Sequence, residues 1–538
     1  MTTGGFPRAP AERVARYRAQ GLWDTRVLAD GIEAAAVARP GAVALADNNG
    51  QLSYAELAGA GGRAAAGLAA RGGPPGQAVV LVSGNTRHGV IAYHALLRAG
   101  ATIVALDRRC GLADLRAAVD VIAGRATVII AAAEAARLAD ALADADVIGL
   151  EAFCEVGGEA PAGRASEPDR DRAAVVLFSS GTTGRPKGVV HSVNTLTAGA
   201  ANMARITSAG PGTVCFLVSP LTSITGLMQV HLAADSHAAL VLEDQFEPGE
   251  TLRRMAAAGA TLLGGAPVIA ERLLRAAPEN PGTPLSLRTL ALGGAMLPRP
   301  LLELAMDTFG IGIARVYGSS EAPNFSGSLP ADDREARLSD DGALMPGSEV
   351  RVGSDGHPRE GLLRGPGVCL GYLDPGDNAA AFSEDGWYRS GDQVELSSDG
   401  HGPGRLTVVG RLKEVVNRNG LKISLPEADA ALEGLPGVLE ASAFGMPDEE
   451  TGERLAVAVR LADGASLALD DVLACLLGKG VARRKLPEQL VRWDGPLPRT
   501  ASGKIVRSRL VMESPAKDSD VAPRLGQGAN LEKQRKGR

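Results

Sequence analysis

A chain of 538 residues is longer than one hydrophobic core organises and corresponds to roughly three or four units of domain size. Its 45% hydrophobic and 22% charged residues are those of an ordinary globular protein, and the net charge of −6 excludes the concentrated basic face a nucleic-acid partner needs. Five cysteines, odd in number, scattered and without metal spacing, read as reduced thiols of a cytoplasmic protein, and no apolar run has the length of a signal peptide core or a membrane span.

The chain opens with an Arg-rich amphipathic piece, Ala11 to Gln20, followed by Gly21-Leu22-Trp23. A helical pattern runs from Leu52 to Arg71 and contains Gly59-Ala-Gly61-Gly-Arg-Ala64, a dinucleotide fingerprint on paper. Such a fingerprint must follow a strand and open a helix; lying inside a helix, it is expected to be small residues at a packing contact. Ala78–Ser83 reads as a buried strand, Arg87–Arg98 as a helix and Gly100–Leu106 as a second strand. The alternation repeats through Leu115–Ile122 and Val128–Ala132, and resumes at Val214–Val218, Ala239–Glu243 and Thr261–Gly265, which implies mostly parallel sheets. Short strands with Gly/Pro turns from about Gly347 to Val409 suggest a barrel-like subdomain. The domains expected are a large one over 1–409, a hinge over 410–414, a small one over 415–514, and a disordered tail over 515–538.

Between Gly/Pro/acidic residues 152–171 and the remainder stands Phe178-Ser-Ser-Gly-Thr-Thr-Gly-Arg-Pro-Lys-Gly-Val189. An apolar strand, Ala173–Phe178, delivers the hydroxyls of Ser179, Ser180, Thr182 and Thr183, the glycines Gly181, Gly184 and Gly188, and the cation Lys187. Glycines let backbone approach a ligand closely, and hydroxyls with a lysine supply donors and charge, the makings of a phosphate cradle. The spacing is not that of the Walker loop.

This stretch resembles the phosphate loop of the adenylate-forming enzymes: acyl-CoA synthetases, luciferases and peptide-synthetase adenylation domains. The fold implied is α/β: a large N-terminal domain of two mostly parallel αβ sheets plus a distorted β-barrel, with a small mobile α+β C-terminal domain. Tyr317-Gly318-Ser319-Ser320-Glu321 resembles a second motif of that family. By resemblance Glu321 holds magnesium, which suits one carboxylate beside phosphate oxygens, Tyr317 lies against adenine, and Ser320 replaces the usual threonine. Gly293-Gly294-Ala295 resembles the wall shared by adenine and the acyl group, and Ser319 belongs with the acid pocket. Asp392 in Trp387-Tyr-Arg-Ser-Gly-Asp resembles the ribose-binding aspartate, whose carboxylate can accept two charge-assisted bonds. Arg411 would reach ribose or the α-phosphate, and Lys413 holds the hinge position. Asn419-Gly420-Leu-Lys422 would shape the thiol's route, and Lys504 in Leu497-Pro-Arg-Thr-Ala-Ser-Gly-Lys resembles the catalytic lysine, a cation placed where charge develops.

Two positions depart from the family pattern. Val193 stands where a histidine is usual, although His191 lies two residues earlier, and Ser223, followed by Gly226, replaces the histidine at the mouth of the acid pocket. The resemblance implies a carboxylic acid–CoA ligase using ATP, Mg2+ and CoA, closest to medium-chain or cyclohexanecarboxylate ligases, acting on a hydrophobic and bulky acid. Other readings stay open: a half-ligase that only thioesterifies a supplied adenylate, a ligase loading a carrier protein in trans, or an adenylate-binding sensor without catalysis. A small-molecule acid and CoA are the expected partners, with no nucleic acid and no membrane span; a homodimer is one assembly open to the chain.

Overall fold

The computed structural model describes residues 5–23, 28–71, 77–122, 125–155, 169–179, 187–278, 284–295, 297–397, 404–412, 414–418, 421–448, 451–479, 481–500 and 503–522. The chain forms two units, one comprising Met1–Gly353, Gly361–Ser390 and Glu395–Thr407, the other Ser354–Glu360, Gly391–Val394 and Val408–Arg538.

In the larger unit, apolar runs spaced by helices give two sheets. The first has seven strands, ordered Gly371–Tyr372, Lys187–Ser192, Ala173–Ser179, Thr102–Asp107, Ala78–Ser83, Thr127–Ile130 and Asp146–Gly149. Its strands from Ala173–Ser179 onward are mutually parallel, whereas Lys187–Ser192 turns back antiparallel, with Leu177 opposite Val189. The second sheet carries a parallel block, Val43–Asp47, Ala239–Leu242, Val214–Leu217, Leu262–Gly265, Thr289–Gly293 and Gly312–Tyr317. Alternation along these strands sorts side chains to two faces. Leu217, Leu262, Ala291 and Ala314 belong to one core, with Leu227, Met228 and Val230 of helix Ile224–Ser236, and Phe216, Leu263, Leu290 and Ile313 to another. The strands expected to form a barrel, from Glu349–Ser354 to Arg405–Arg411, are hydrogen-bonded in series onto this sheet through Ala343–Leu344 and Ser326–Gly327.

The Gly59–Ala64 fingerprint lies in the middle of helix Tyr54–Ala70, which begins at Ser53 with a reciprocal Ser53–Glu56 cap. A methyl group on Gly61 would sit 2.2 Å from Cδ2 of the buried His94, so this glycine is a helix-packing contact with helix Arg87–Arg98. At the N-terminus, Arg13 of helix Ala11–Ala19 donates to the carbonyls of Gly365, Val368 and Cys369, and Trp23 Nε1 donates to Pro366 O at 3.1 Å.

In the smaller unit, Leu421–Ser424, Val415–Arg418, Gly452–Leu461, Gln489–Arg492 and Ser519–Val521 form one sheet, with Val438–Asp448 also paired to Gly452–Leu461. Residues 519–521, expected within a disordered tail, form a strand instead. Ser519–Val521 adds an antiparallel strand to Gln489–Val491, because Asp520 pairs with Arg492 at 2.7 Å and accepts from Leu469 N at 3.1 Å. Residues 523–538 lie outside the described residues. The change of unit falls between Thr407 and Val408, and Gly391–Val394 joins the smaller unit through Leu412 N to Gly391 O at 2.8 Å. All five cysteines are free thiols.

Replacing Gly61 by Ala is expected to cost about 1–3 kcal/mol through overpacking, seen as a lowered thermal midpoint with KM for ATP unchanged. A rise in that KM without loss of stability would contradict the packing role.

Candidate active site

The turn Tyr317–Ala322 leaves the carboxyl end of strand Gly312–Tyr317, the side of a parallel sheet where ligands sit. Gly318 is required there, since a Cβ would meet Ala322 O and Asn324 N at 2.7 Å. Ser319 Oγ accepts from the backbone N–H of Glu321 and of Ala322, both at 3.2 Å. Beneath the turn His191 is fully buried, and its Nε2 lies 2.7 Å from Ser320 O. A carbonyl only accepts, so Nε2 carries the proton and Nδ1 is left as an acceptor 3.0 Å from the Thr195 hydroxyl. Burial lowers the His191 pKa to about 4, which keeps the ring neutral. His191, expected in the acid pocket, thus holds the backbone of Ser320 from behind.

Glu321 is buried, and its Oε1 accepts from the Tyr372 hydroxyl at 2.7 Å. Tyr388 hydrogen-bonds the Tyr372 hydroxyl in turn; burial first, and Glu321 second, pushes both phenols well above their ordinary pKa, so both stay protonated. The Lys187 ammonium lies 5.2 Å from the centre of the Tyr372 ring and pairs with Asp377 at 2.7 Å. Tyr372 therefore joins the lysine that closes the Gly/hydroxyl loop to the carboxylate of the second motif. Residues 180–186, with Ser180, Gly181, Thr182, Thr183 and Gly184, lie outside the described residues, as does the side chain of Ser179.

On the acid side, the expected roles for Ser223 and Gly226 meet a helix cap. Ser223 is the N-cap of helix Ile224–Ser236; its Oγ accepts from Gly226 N at 3.1 Å and donates to Pro220 O at 2.7 Å. A Cβ on Gly226 would lie 2.1 Å from Pro220 O, so this glycine lets the helix start close to the preceding turn. Buried Asn85 clamps that turn, donating to Ser219 O at 3.0 Å and Glu243 O at 2.9 Å and accepting from Leu221 N at 2.7 Å. Val193, at the other departing position, is buried in the core. Gly293 abuts Val316 O, 2.1 Å from where a Cβ would stand, while Gly294, at φ +78°, and Ala295 are exposed at the strand end. Tyr317 packs edge-on against Phe325 at 6.5 Å.

In the smaller unit, buried Asp392 pairs with Arg411 Nε at 2.9 Å. Lys504 is exposed on a turn closed by Thr500 N to Lys504 O at 2.8 Å and Gly503 N to Thr500 O at 2.9 Å, with Gly503 at φ +85°. Lys413 and Gly420 lie outside the described residues, and so does the side chain of Lys422. Asn85, Tyr372, Asp377 and Arg13 are contributors that motif reading does not reach.

A magnesium ion fits the donor set as a phosphate-borne ion. Among the described residues no cluster of three or more His, Cys, Asp or Glu could cage a metal, and Glu321 is a single carboxylate that gives one oxygen to Tyr372. One carboxylate, with phosphate oxygens and water completing the shell, is what magnesium takes at nucleotide sites.

The model of the AMP-binding enzyme family matches residues 32–373, and that of the AMP-binding enzyme C-terminal domain matches residues 427–504. The chain belongs to the AMP-binding enzyme family. Within it the chain is an AMP-forming acid–thiol ligase of the acyl-CoA synthetase type, in the adenylate-forming superfamily. It is 31% identical to a 2-hydroxy-7-methoxy-5-methyl-1-naphthoate–CoA ligase of Streptomyces carzinostaticus, over 94% of this chain and 96% of that protein. It is 32% identical to a salicyl-AMP ligase / salicyl-S-ArCP synthetase of Mycobacterium tuberculosis, over 95% and 94%. ATP-bound MatB from Rhodopseudomonas palustris superposes with a TM-score of 0.80 at 25% identity, covering 90% of this chain and 98% of that one. No described helix of the ligase is long and apolar enough to cross a membrane.

His191 also gives the ligase an acid-side stability limit. Its folded pKa of about 4 lies below the ordinary 6.5, so the unfolded chain binds more protons between these values. The associated stability is complete above pH 6.5 and is lost as pH falls toward 4, at a slope of at most about 1.4 kcal/mol per pH unit. Buried His231, lowered to about 3, acts in the same direction. Thermal unfolding from pH 7.5 to 4 should show His191→Asn with a shallower loss over this window than the parent; identical slopes would contradict it.

Proposed function

We propose that the ligase converts a hydrophobic, bulky, aromatic carboxylic acid into its CoA thioester through an acyl-adenylate. The observation that carries this reading is the junction at Tyr372, whose ring faces the Lys187 ammonium while its hydroxyl donates to the Glu321 carboxylate. A cation at the end of a glycine- and hydroxyl-rich loop, joined through one tyrosine to a carboxylate, suits a nucleoside triphosphate with its magnesium. The substrate class rests on the named relatives, which act on naphthoate and salicylate, and on the uncharged wall of Gly293, Gly294, Ala295 and Ser223.

In the first half-reaction a carboxylate oxygen attacks the α-phosphorus, the bond to the β-phosphate oxygen breaks, and pyrophosphate leaves. Ser179, Ser180, Thr182, Thr183 and Lys187 would hold the phosphates, Asp392 the ribose hydroxyls and Arg411 the ribose or α-phosphate, with Tyr317, Gly294 and Ala295 against adenine. Glu321 would hold magnesium, which supplies charge neutralisation on the phosphates. Lys504 offsets the repulsion between the carboxylate and the α-phosphate, an interaction strongest in the transition state. In the second half-reaction the thiol loses its proton, sulfur bonds to the acyl carbon, and the carbon–oxygen bond to AMP breaks. Lys504 belongs to the smaller unit, so turning that unit about Lys413 would remove it for thioester formation.

A second reading concerns the thiol alone. The similarity to a salicyl-S-ArCP synthetase favours a carrier-protein phosphopantetheine as acceptor.

ATP–pyrophosphate exchange with aliphatic, alicyclic, monocyclic aromatic and polycyclic acids tests the first half-reaction, and thioester formation with CoA or a phosphopantetheinylated carrier tests the second. Exchange confined to aromatic acids, with thioester formed on CoA, is expected. Exchange with short aliphatic acids alone would overturn the substrate class. Lys504→Ala should lower exchange by at least 100-fold, in line with loss of an electrostatic contact to a developing charge. Tyr372→Phe should lower it about 10-fold by freeing one Glu321 oxygen, with the thermal midpoint little changed.

A further inference from the structure

Lys504 sits on a hairpin whose two arms are tied at the base. Arg499 and Ile505 face one another antiparallel, and Val506 N donates to Pro498 O at 2.8 Å. Leu497, Ile505 and Leu510 pack with Phe444, Val491 and Trp493 of the smaller unit, an apolar footing beneath the hairpin. Arg507 comes three residues after Lys504 and opens helix Arg507–Glu513.

All three nitrogens of the Arg507 guanidinium have partners, on three different segments. Nη1 donates to Glu414 at 2.7 Å, and Nε donates to Ala443 O in strand Val438–Asp448 at 2.9 Å. Nη2 pairs with Asp429 of helix Leu425–Leu432. Asp429 also accepts from Ala443 N at 2.5 Å, so two of the three partners are fixed to each other. The third has another position. Glu414 comes directly after Lys413 and before strand Val415–Arg418, and its N–H donates to Arg411 O at 3.2 Å.

A planar guanidinium held by three acceptors keeps one orientation, and its bonds to carboxylates are strengthened by charge. The apolar footing already gathers the hairpin, so what Arg507 adds is placement. It ties the base of the Lys504 hairpin to the first residue beyond Lys413.

We infer that Arg507 is a positioning residue for the adenylation half-reaction, holding the Lys504 hairpin at a fixed offset from the residue about which the smaller unit turns. This rests on the proposed part of Lys504 in that half-reaction. A turn at Lys413 moves Glu414 first, and Arg507 passes the same turn to Lys504. A misplacement of about 1 Å costs on the order of 100-fold in rate, so a loosened hairpin loses adenylation while keeping its fold. Thioester formation, for which Lys504 is withdrawn, does not need the link.

The test compares the two half-reactions in the full chain. ATP–pyrophosphate exchange is measured with octanoate, cyclohexanecarboxylate, benzoate, salicylate and 2-naphthoate, and thioester formation with CoA from the adenylate of the best acid. Arg507→Gln is expected to lower kcat for exchange about 10- to 100-fold, with KM for ATP and the thioester rate within about threefold of the parent. Arg507→Lys, which restores the charge but not the three-way fork, should recover part of the loss. Glu414→Gln leaves Asp429 and Ala443 in place and should lower exchange at least about threefold; it takes over if the thermal midpoint shows Arg507→Gln unfolded. The double variant is expected to be no slower than Arg507→Gln alone, as for two residues forming one link. Unchanged exchange in both single variants, equal losses in both half-reactions, or losses that multiply in the double variant would overturn the role of Arg507 while leaving the ligase reading intact. Lys504→Ala is the control: if it also leaves exchange unchanged, or if the parent exchanges with no acid, the reading of Lys504 falls as well.

Discussion

Much of the candidate site hangs on one hydrogen bond, from Nε2 of the buried His191 to the carbonyl of Ser320. The turn that follows strand Gly312–Tyr317 contains Gly318 and two serines, a composition with little intrinsic preference for one shape. A neutral imidazole behind it removes that freedom. Burial ensures that the ring stays neutral, and a carbonyl partner ensures that the proton sits on Nε2. With Ser320 O anchored and Ser319 Oγ accepting from the N–H groups of Glu321 and Ala322, Glu321 has one backbone position from which to meet Tyr372.

The same turn is braced from the N-terminal segment. Arg13, its pKa lowered by burial, gives its donors to the carbonyls of Gly365, Val368 and Cys369. Cys369 N then donates to Glu321 O at 2.7 Å. A half-buried guanidinium is costly unless its donors find acceptors, and here they find backbone whose geometry the site needs. Arg13 of the Arg-rich opening is thus part of the support of Glu321.

The parts that were legible in the sequence are those where composition is dense and local. Alternating apolar runs and helical patterns revealed the parallel strands because period and burial coincide there, as in Ala78–Ser83 and Val214–Leu217. The Gly/hydroxyl loop and Tyr317–Glu321 stood out because several residues of one chemistry adjoin. Asn85, Tyr372 and Asp377 left no such trace: each is one polar residue in an unremarked segment, and its use depends on partners far away in the chain. Strand Ser519–Val521 was invisible for a related reason, since Ser-Asp-Val has no apolar alternation and its pairing depends on Arg492 and a sheet edge. Ser223 and Gly226 were legible as small but not as a cap, because smallness in a sequence does not say whether backbone already fills the space.

That distinction bears on how the ligase meets its acid. At the two positions that depart from the family pattern, no side chain offers a new polar group: Val193 is core, and the Ser223 hydroxyl is spent on Pro220 and Gly226. Helix Ile224–Ser236 carries two buried polar residues in its middle, Gln229 and His231. Two residues apart on a helix they point about 200° from one another, so they serve opposite neighbours. His231 turns to the Tyr93 hydroxyl at 2.9 Å, and Gln229 to the sheet over Gly264. Both departing positions are thus taken up by packing and capping, and the helix behind them turns its buried polar groups to the elements packed against it.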